Sequence, residues 1–237
     1  TFWNWTVFDP FGTNGVGAVS NFTLKGLGVI AGGSLNTTSG GIRASNSIGY
    51  FMPNIAGFYG QAMYAMGENA SNPSGPSSNG NVGSVRVGYA NGPVDVAFSY
   101  GATTFAQSQQ YEVMNLGASW NFGAFKLMGL ANWEGGDSLP TSAQQNIKVR
   151  TYMIGATMPL GAGELKGSYT YGNASYDLLD GSQFAIGYVY NLSKRTALYT
   201  TYSYISNSGK TASYNMGVAP GVGNNTYGFD FGVKHSF

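Results

Sequence analysis

The 237-residue sequence has no cysteine, which excludes a disulfide scaffold and a thiolate zinc site and leaves the redox compartment open. It has one histidine, His235, which argues against His-based metal clusters and against most His-dependent catalysis. Charge is scarce: Asp, Glu, Lys and Arg make up 9% of the chain, where roughly 25% is usual for soluble domains. That is too little for an ordinary cytosolic surface. The net charge of +1 removes the electrostatic argument for a nucleic-acid partner. No stretch approaches the roughly 18 to 20 continuous apolar residues that a membrane-spanning helix needs. No positively charged leader with an apolar core opens the chain, so any signal peptide is expected to have been removed already.

What the chain does have is glycine (37 residues), aromatic side chains (15%) and 43% hydrophobic residues. That much apolar area argues against disorder and for folding against something apolar. From about Arg43 to the end the dominant pattern has period 2, the mark of half-buried strands. Tyr227, Phe229, Phe231, Val233, His235 and Phe237 share one face of the last segment, and Gly228, Asp230, Gly232, Lys234 and Ser236 share the other. Val85, Val87 and Tyr89 alternate with Ser84, Arg86 and Gly88. Met114, Leu116, Ala118, Trp120 and Phe122 alternate with Asn115, Gly117, Ser119 and Asn121. Between Thr196 and Ile205 either parity is open, because Leu198, Tyr199, Tyr202 and Tyr204 do not alternate cleanly.

Connections alternate between short turns, near residues 53–56, 91–93, 122–124, 159–163 and 192–195, and longer polar loops that include 68–81, 135–145 and 207–225. Short turns on one side and long loops on the other mark an outer-membrane barrel, whereas a soluble sandwich shows Greek-key jumps without that sidedness. The expected fold class is therefore all-β, a transmembrane antiparallel β-barrel. About eleven strands fit the stretch from Arg43 onward, while bacterial single-chain barrels carry even numbers. An open edge in hydrocarbon leaves N–H and C=O groups unpaired at several kcal/mol each. Either a strand is missed or the sequence is the C-terminal part of a longer chain.

Several segments carry a resemblance. Arg43-Ala44-Ser45-Asn46-Ser47-Ile48-Gly49-Tyr50-Phe51-Met52-Pro53, the restart at Gly57-Phe58, Gly88-Tyr89-Ala90-Asn91-Gly92-Pro93, Asn191-Leu192-Ser193-Lys194-Arg195-Thr196-Ala197-Leu198-Tyr199 and the terminal Gly232-Val233-Lys234-His235-Ser236-Phe237 occur in order. Together they resemble the Gram-negative general diffusion porins, in particular the trimeric sixteen-stranded porins of β-proteobacteria. The resemblance implies that residues 1–42 form much of an inward-folded constriction loop with its approach, and that 43–237 form barrel strands of a single domain. Five strands would then precede this sequence, roughly 90 to 120 residues at barrel spacing.

The same resemblance implies a passive outer-membrane channel for small hydrophilic solutes and ions, modestly anion-preferring, with no catalysis and no cofactor. Its expected partners are the lipid bilayer, lipopolysaccharide, two further copies in a homotrimer and the barrel-assembly machinery. In such a channel a few charges act across a narrow lumen with low-dielectric walls. Parity puts Arg43, Arg86, Lys126, Lys166 and Lys234 on the wet face with Asp95, Glu134, Glu164 and Asp230. Arg43 and Arg86 are the candidate constriction cations. Arg43 has a plainer reading as a strand-end cation paired with a loop carboxylate such as Asp9. Asp9 itself either opposes the basic wall across the eyelet or is a turn residue before Pro10. Lys126, Glu164 and Lys234 fit a solvated rim. Phe237 resembles the terminal signal read during barrel assembly, and also fits an interface aromatic, as does His235.

Gly26-Leu27-Gly28-Val29-Ile30-Ala31 fits a dinucleotide-binding pattern, but Gly32-Gly33-Ser34 follow where a helix must begin. Asn4-Trp5-Thr6 and Asn36-Thr37-Thr38 match glycosylation acceptors, as an Asn- and Thr-rich composition produces by itself. Three rivals stand beside the channel. A twelve-stranded autotransporter-type barrel requires an N-terminal helix through the pore, and residues 1–42 show no helical period. A barrel hydrolase requires a site near Glu134 and Asp137. A structural or adhesive barrel requires no conductance.

Overall fold

A computed structural model describes residues 3–12, 15–23, 44–67, 78, 80–105, 109–136, 147–210 and 212–236. Period-2 alternation becomes eleven strands: β1 (Ser47–Ile55), β2 (Phe58–Ala65), β3 (Val82–Asn91), β4 (Val94–Phe105), β5 (Gln109–Asn121), β6 (Lys126–Gly136), β7 (Lys148–Leu160), β8 (Gly163–Ala174), β9 (Asp180–Asn191), β10 (Thr196–Asn207) and β11 (Thr226–His235). Each pairs antiparallel with its neighbour in sequence, in the order β1 to β11. The hairpin turns follow from their residues. Between β3 and β4 only Gly92 and Pro93 intervene, and Gly92 takes φ 58°, which glycine adopts without steric cost.

The two faces of the sheet are inverted relative to a soluble protein. Val87 is 59% exposed and Phe184 51%, whereas Ser99 and Asn115, on the other face, are each 1% exposed. An apolar outer surface wrapped round a polar interior is what a barrel in lipid requires. Aromatic side chains gather at both ends of that outer surface. Phe122 stacks on Phe125 at 4.8 Å beside Trp120, and Phe58 lies 4.8 Å from Tyr89, all at the short-turn end. At the long-loop end Trp133 meets Tyr152 edge-on at 6.2 Å, and the Tyr171 hydroxyl donates to Asp180 at 3.0 Å. Apolar rings with polar tips suit the two interfaces of a bilayer.

Three details depart from the sequence expectations or complete them. The open parity of β10 resolves with Tyr199, Thr201, Ser203, Ile205 and Asn207 inward and Tyr202 and Tyr204 outward, since Tyr199 pairs with the inward Gly232 and Tyr202 with the outward Phe229. The division into one greasy and one wet face fails toward the long-loop end. There Tyr111, Val113, Leu130, Val149, Met153 and Ile205 face inward and form a core with Trp5, Val19 and Phe22. Water is excluded from that part of the inner wall because another segment covers it. Finally, residues 1–42 do contain a helix, α1 (Trp3–Val7). It is a single turn, rising roughly 8 Å, far short of the threading helix that an autotransporter-type barrel needs.

That covering segment spans the inner face from β3 to β11. Asn4 bonds Arg86 on β3, and Val16 bonds Asp230 on β11, with a turn between them in which the Gly12 N–H closes onto the Asp9 carbonyl at 3.1 Å.

Candidate functional site: the inner wall and the segment folded onto it

Residues 3–12 and 15–23 lie on the inward face, and polar side chains fix them there. The Asn4 amide donates to the Ala97 carbonyl at 3.1 Å, to Ser99 Oγ at 3.2 Å and to Asn115 Oδ1 at 2.7 Å, while its own oxygen accepts from Arg86 Nε at 2.5 Å. Trp5 Nε1 donates to Asn132 Oδ1 at 3.1 Å, and Asn132 in turn donates to Glu134 at 2.8 Å, a carboxylate that also accepts from the Tyr111 hydroxyl. Further along, Gln183 Nε2 donates to the Gly17 carbonyl at 2.8 Å. Phe22 stacks on Tyr214 at 4.0 Å, bringing the loop between β10 and β11 over the same wall. Asn207 brackets Tyr214 by accepting its N–H at 2.9 Å and donating to its carbonyl at 3.0 Å. Burial holds the Tyr214 hydroxyl above the usual phenol range.

The wall receives this segment through glycines. A Cβ on Gly155 would stand 2.6 Å from Pro10, on Gly187 2.9 Å from Phe11, on Gly228 2.7 Å from Val16 and on Gly172 2.7 Å from Phe22, and one on Gly117 would strike Phe8. All five are inward positions on five different strands. They form a track into which bulky side chains of the segment fit, and any larger residue would displace them.

The expected wet-face residues fall into two groups. On the β2–β6 flank Arg86 is 6% exposed. Its Nη2 donates to the Tyr59 hydroxyl at 3.3 Å, its guanidinium lies 4.9 Å from that ring, and the Tyr59 hydroxyl donates to Asp95 at 2.6 Å. Lys126 lines a shallow cavity of about 290 Å³ with Asp95. On the β8–β11 flank Lys166 donates to the Pro10 carbonyl at 2.9 Å and lies 3.4 Å from Glu164. Asp230 accepts the Val16 N–H at 2.8 Å, and Lys234 is exposed. Among the described residues neither Lys126 nor Lys234 makes an ion pair. Outward of both groups, His235 meets the Thr196 hydroxyl at 2.9 Å.

Asp9 joins the two flanks. It is 5% exposed, and its carboxylate accepts the Phe11 N–H at 2.9 Å and the Val19 N–H at 2.6 Å. Burial pushes its pKa up to about 7, outweighing those two bonds and the nearby Lys166 charge. Arg43 and Phe237 lie outside the described residues. Sequence reasoning missed Asn4, Trp5, Tyr59, Gln183 and Tyr214. The five glycines at inward positions were the legible trace, since period 2 puts them on one face and their missing side chains leave room for something.

Residues 2–210 match the Gram-negative porin family. An outer membrane porin of Delftia acidovorans, protein 32, is 33% identical over 98% of this chain, and an outer membrane porin of Bordetella pertussis is 31% identical over 84%. The chain spans 66% and 58% of those relatives. Among solved structures, the anion-selective porin from Comamonas acidovorans superposes with a TM-score of 0.73 at 33% identity, covering 83% of this chain and 61% of that one. OmpT of Vibrio cholerae superposes with a TM-score of 0.65 at 17% identity over 98% of this chain and 74% of its own, a likeness of fold.

Proposed function

We propose, since this chain belongs to the Gram-negative porin family, that the protein it comes from is a passive outer-membrane diffusion channel for small hydrophilic solutes and ions, with modest anion preference. The observation that carries this reading is the pairing of an exposed apolar outer face with an inner wall whose polar groups hold a folded-in segment. Such a segment narrows a barrel without closing it, and leaves charged side chains facing water on either side. In this reading residues 1–42 supply much of the constriction and 43–237 the wall, Arg43 and Arg86 contribute positive potential at the narrowing, and no bond-making chemistry takes place.

The sign of selectivity follows from which charges are engaged. Asp95 accepts from Tyr59, Asp230 from the Val16 N–H, and Glu164 lies beside Lys166, while Asp9 is held toward its neutral form. Lys126 and Lys234 face water with no ion pair among the described residues. Hydrogen bonding leaves those carboxylates charged but less open to a passing ion, and the two ammonium groups that face water draw anions into a low-dielectric passage. The relative from Comamonas acidovorans is described as anion-selective, which fits. A homotrimer, lipopolysaccharide at the outer face, and recognition by the assembly machinery through the last strand and Phe237 complete the proposal. Planar-bilayer recording of the full-length protein tests it. Stepwise insertion in multiples of three and a reversal potential favouring chloride over potassium are expected. Absence of conductance, or strong cation preference, overturns it.

A further inference from the structure

Beneath the folded-in segment, toward the short-turn end, the β8–β11 flank encloses a cavity of about 570 Å³, within the range of sites that take small ligands. Its lining carries Lys166, Glu164, Lys234 and Asp230, two charges of each sign, with Phe11 and Tyr199 as its aromatic groups. The register fixes their arrangement. Lys166 pairs with Gly187, Gly187 with Thr201 and Thr201 with Asp230, so Lys166 and Asp230 share a row three strands, or roughly 14 Å, apart. Lys234 lies two inward positions beyond Asp230 on the same strand, roughly 13 Å along it. Between them stands Gly232, whose missing side chain leaves room for the Tyr199 hydroxyl.

Not all of these groups are available. Lys166 is engaged by the Pro10 carbonyl and Glu164, and one Asp230 oxygen by the Val16 N–H. What remains facing the cavity is the Lys234 ammonium at one end, the second Asp230 oxygen at the other, and between them the Tyr199 ring and the second Glu164 oxygen. The Lys234 side chain, reaching roughly 6 Å and leaning along the strand toward Asp230, can bring its ammonium within reach of a molecule that carries an ammonium and a carboxylate on one carbon, hydrogen-bonded at both ends. The lining has no net charge, so a simple anion meets two carboxylates and a simple cation two ammonium groups. A neutral polyol forgoes both charge-assisted bonds.

We propose that this cavity is a binding site for small zwitterions of the α-amino-acid class, with the ligand ammonium on Asp230, its carboxylate on Lys234 and its side chain against Tyr199. The proposal rests on the channel reading for its route of access, and deepens it by adding a station where a solute pauses. L-Glutamine is the probe, with glutarate as the anionic and glucose as the neutral comparator. Current through single channels of the full-length protein should fall saturably with L-glutamine, at concentrations at least 10-fold below those needed for either comparator. Lys234→Gln and Asp230→Asn should each weaken that block at least 10-fold relative to the variant's own open current, whose presence reports folding and insertion. Calorimetry on detergent-solubilised protein separates the two ideas. Binding without conductance sustains the site and sinks the channel. Conductance with no L-glutamine binding, with equal block by glucose or glutarate, or with block unchanged in Lys234→Gln, overturns the site.

Discussion

The two flanks of the inner wall use the same residue types for opposite ends. On β2–β6, Arg86 is buried and donates to Asn4 and Tyr59, so its charge fixes backbone position. On β8–β11, Lys234 is exposed and lines the larger cavity. The difference lies in what stands above each cation. Over Arg86 lies the first turn of the segment, whose Asn4 amide accepts from the guanidinium and shares its two N–H donors among three acceptors on the wall. Lys234 carries no bond to the segment among the described residues, although the two line one cavity. An inward cation on a barrel strand adds its potential to the lumen in either case, and whether it also acts as a structural clamp depends on the cover above it, which parity alone does not show.

Asp9, where the segment passes from one flank to the other, gives the largest expected effect. Its pKa of about 7, against an ordinary 3.8, means that the folded state binds this proton more tightly than the unfolded chain does. Between about pH 4 and pH 7 the folded state therefore carries more proton, and stability from this group, full at low pH, is lost as pH rises through 7. At roughly 1.4 kcal/mol per unit the ceiling is about 4 kcal/mol. Chemical unfolding in detergent should show the wild type less resistant at pH 8 than at pH 5. Asp9→Asn keeps an acceptor for one backbone N–H without a charge, and should flatten that difference. An unchanged pH dependence in the variant would place its source elsewhere.

Removing the clamp sharpens the contrast directly. Arg86→Met keeps an apolar stem but leaves the Asn4 oxygen without its charged donor, at about 2 to 3 kcal/mol. Lys234→Met, across the lumen, removes an exposed cation and should change stability by less than about 0.5 kcal/mol. Urea midpoints of the two variants measure the difference. If Arg86 holds the segment in place, its variant should also show a broader or noisier open current, which Lys234→Met does not share. Equal midpoints would mean that both flanks are merely lined.

How far this architecture could be read in advance depended on whether a residue's role is set by its own strand or by a distant segment. The facing of Val87, Phe184 and Asp230 follows from period 2, because lipid outside and water inside impose one requirement per face. Eleven strands and the sidedness of their connections follow from turn chemistry such as Gly92-Pro93. Inward Tyr111, Val113, Leu130 and Met153 broke the two-face rule because Trp5, Val19 and Phe22, more than eighty positions away, pack in one core with them. Burial of Arg86 was hidden for the same reason: it depends on Asn4, and no local pattern couples positions 4 and 86.

The smallest effect tests whether the β2–β6 flank acts as one network. Tyr59 bridges Arg86 to Asp95, accepting from the guanidinium at 3.3 Å and donating to the carboxylate at 2.6 Å. Tyr59→Phe retains the ring beside the guanidinium and removes only the hydroxyl. The expected cost is about 1 kcal/mol, the net value of a hydrogen bond whose partners are charged but partly reachable by water. A double-mutant cycle with Asp95→Asn should give a coupling of at least about 0.5 kcal/mol, since the two residues share one bond. Combined with Lys126→Gln, at a residue that makes no bond to Tyr59 among the described residues and only shares a cavity wall with Asp95, the effects should add. Additivity in both cycles would dissolve the clamp into independent contacts, and the contrast with the solvent-facing flank would then rest on Arg86 and Asn4 alone.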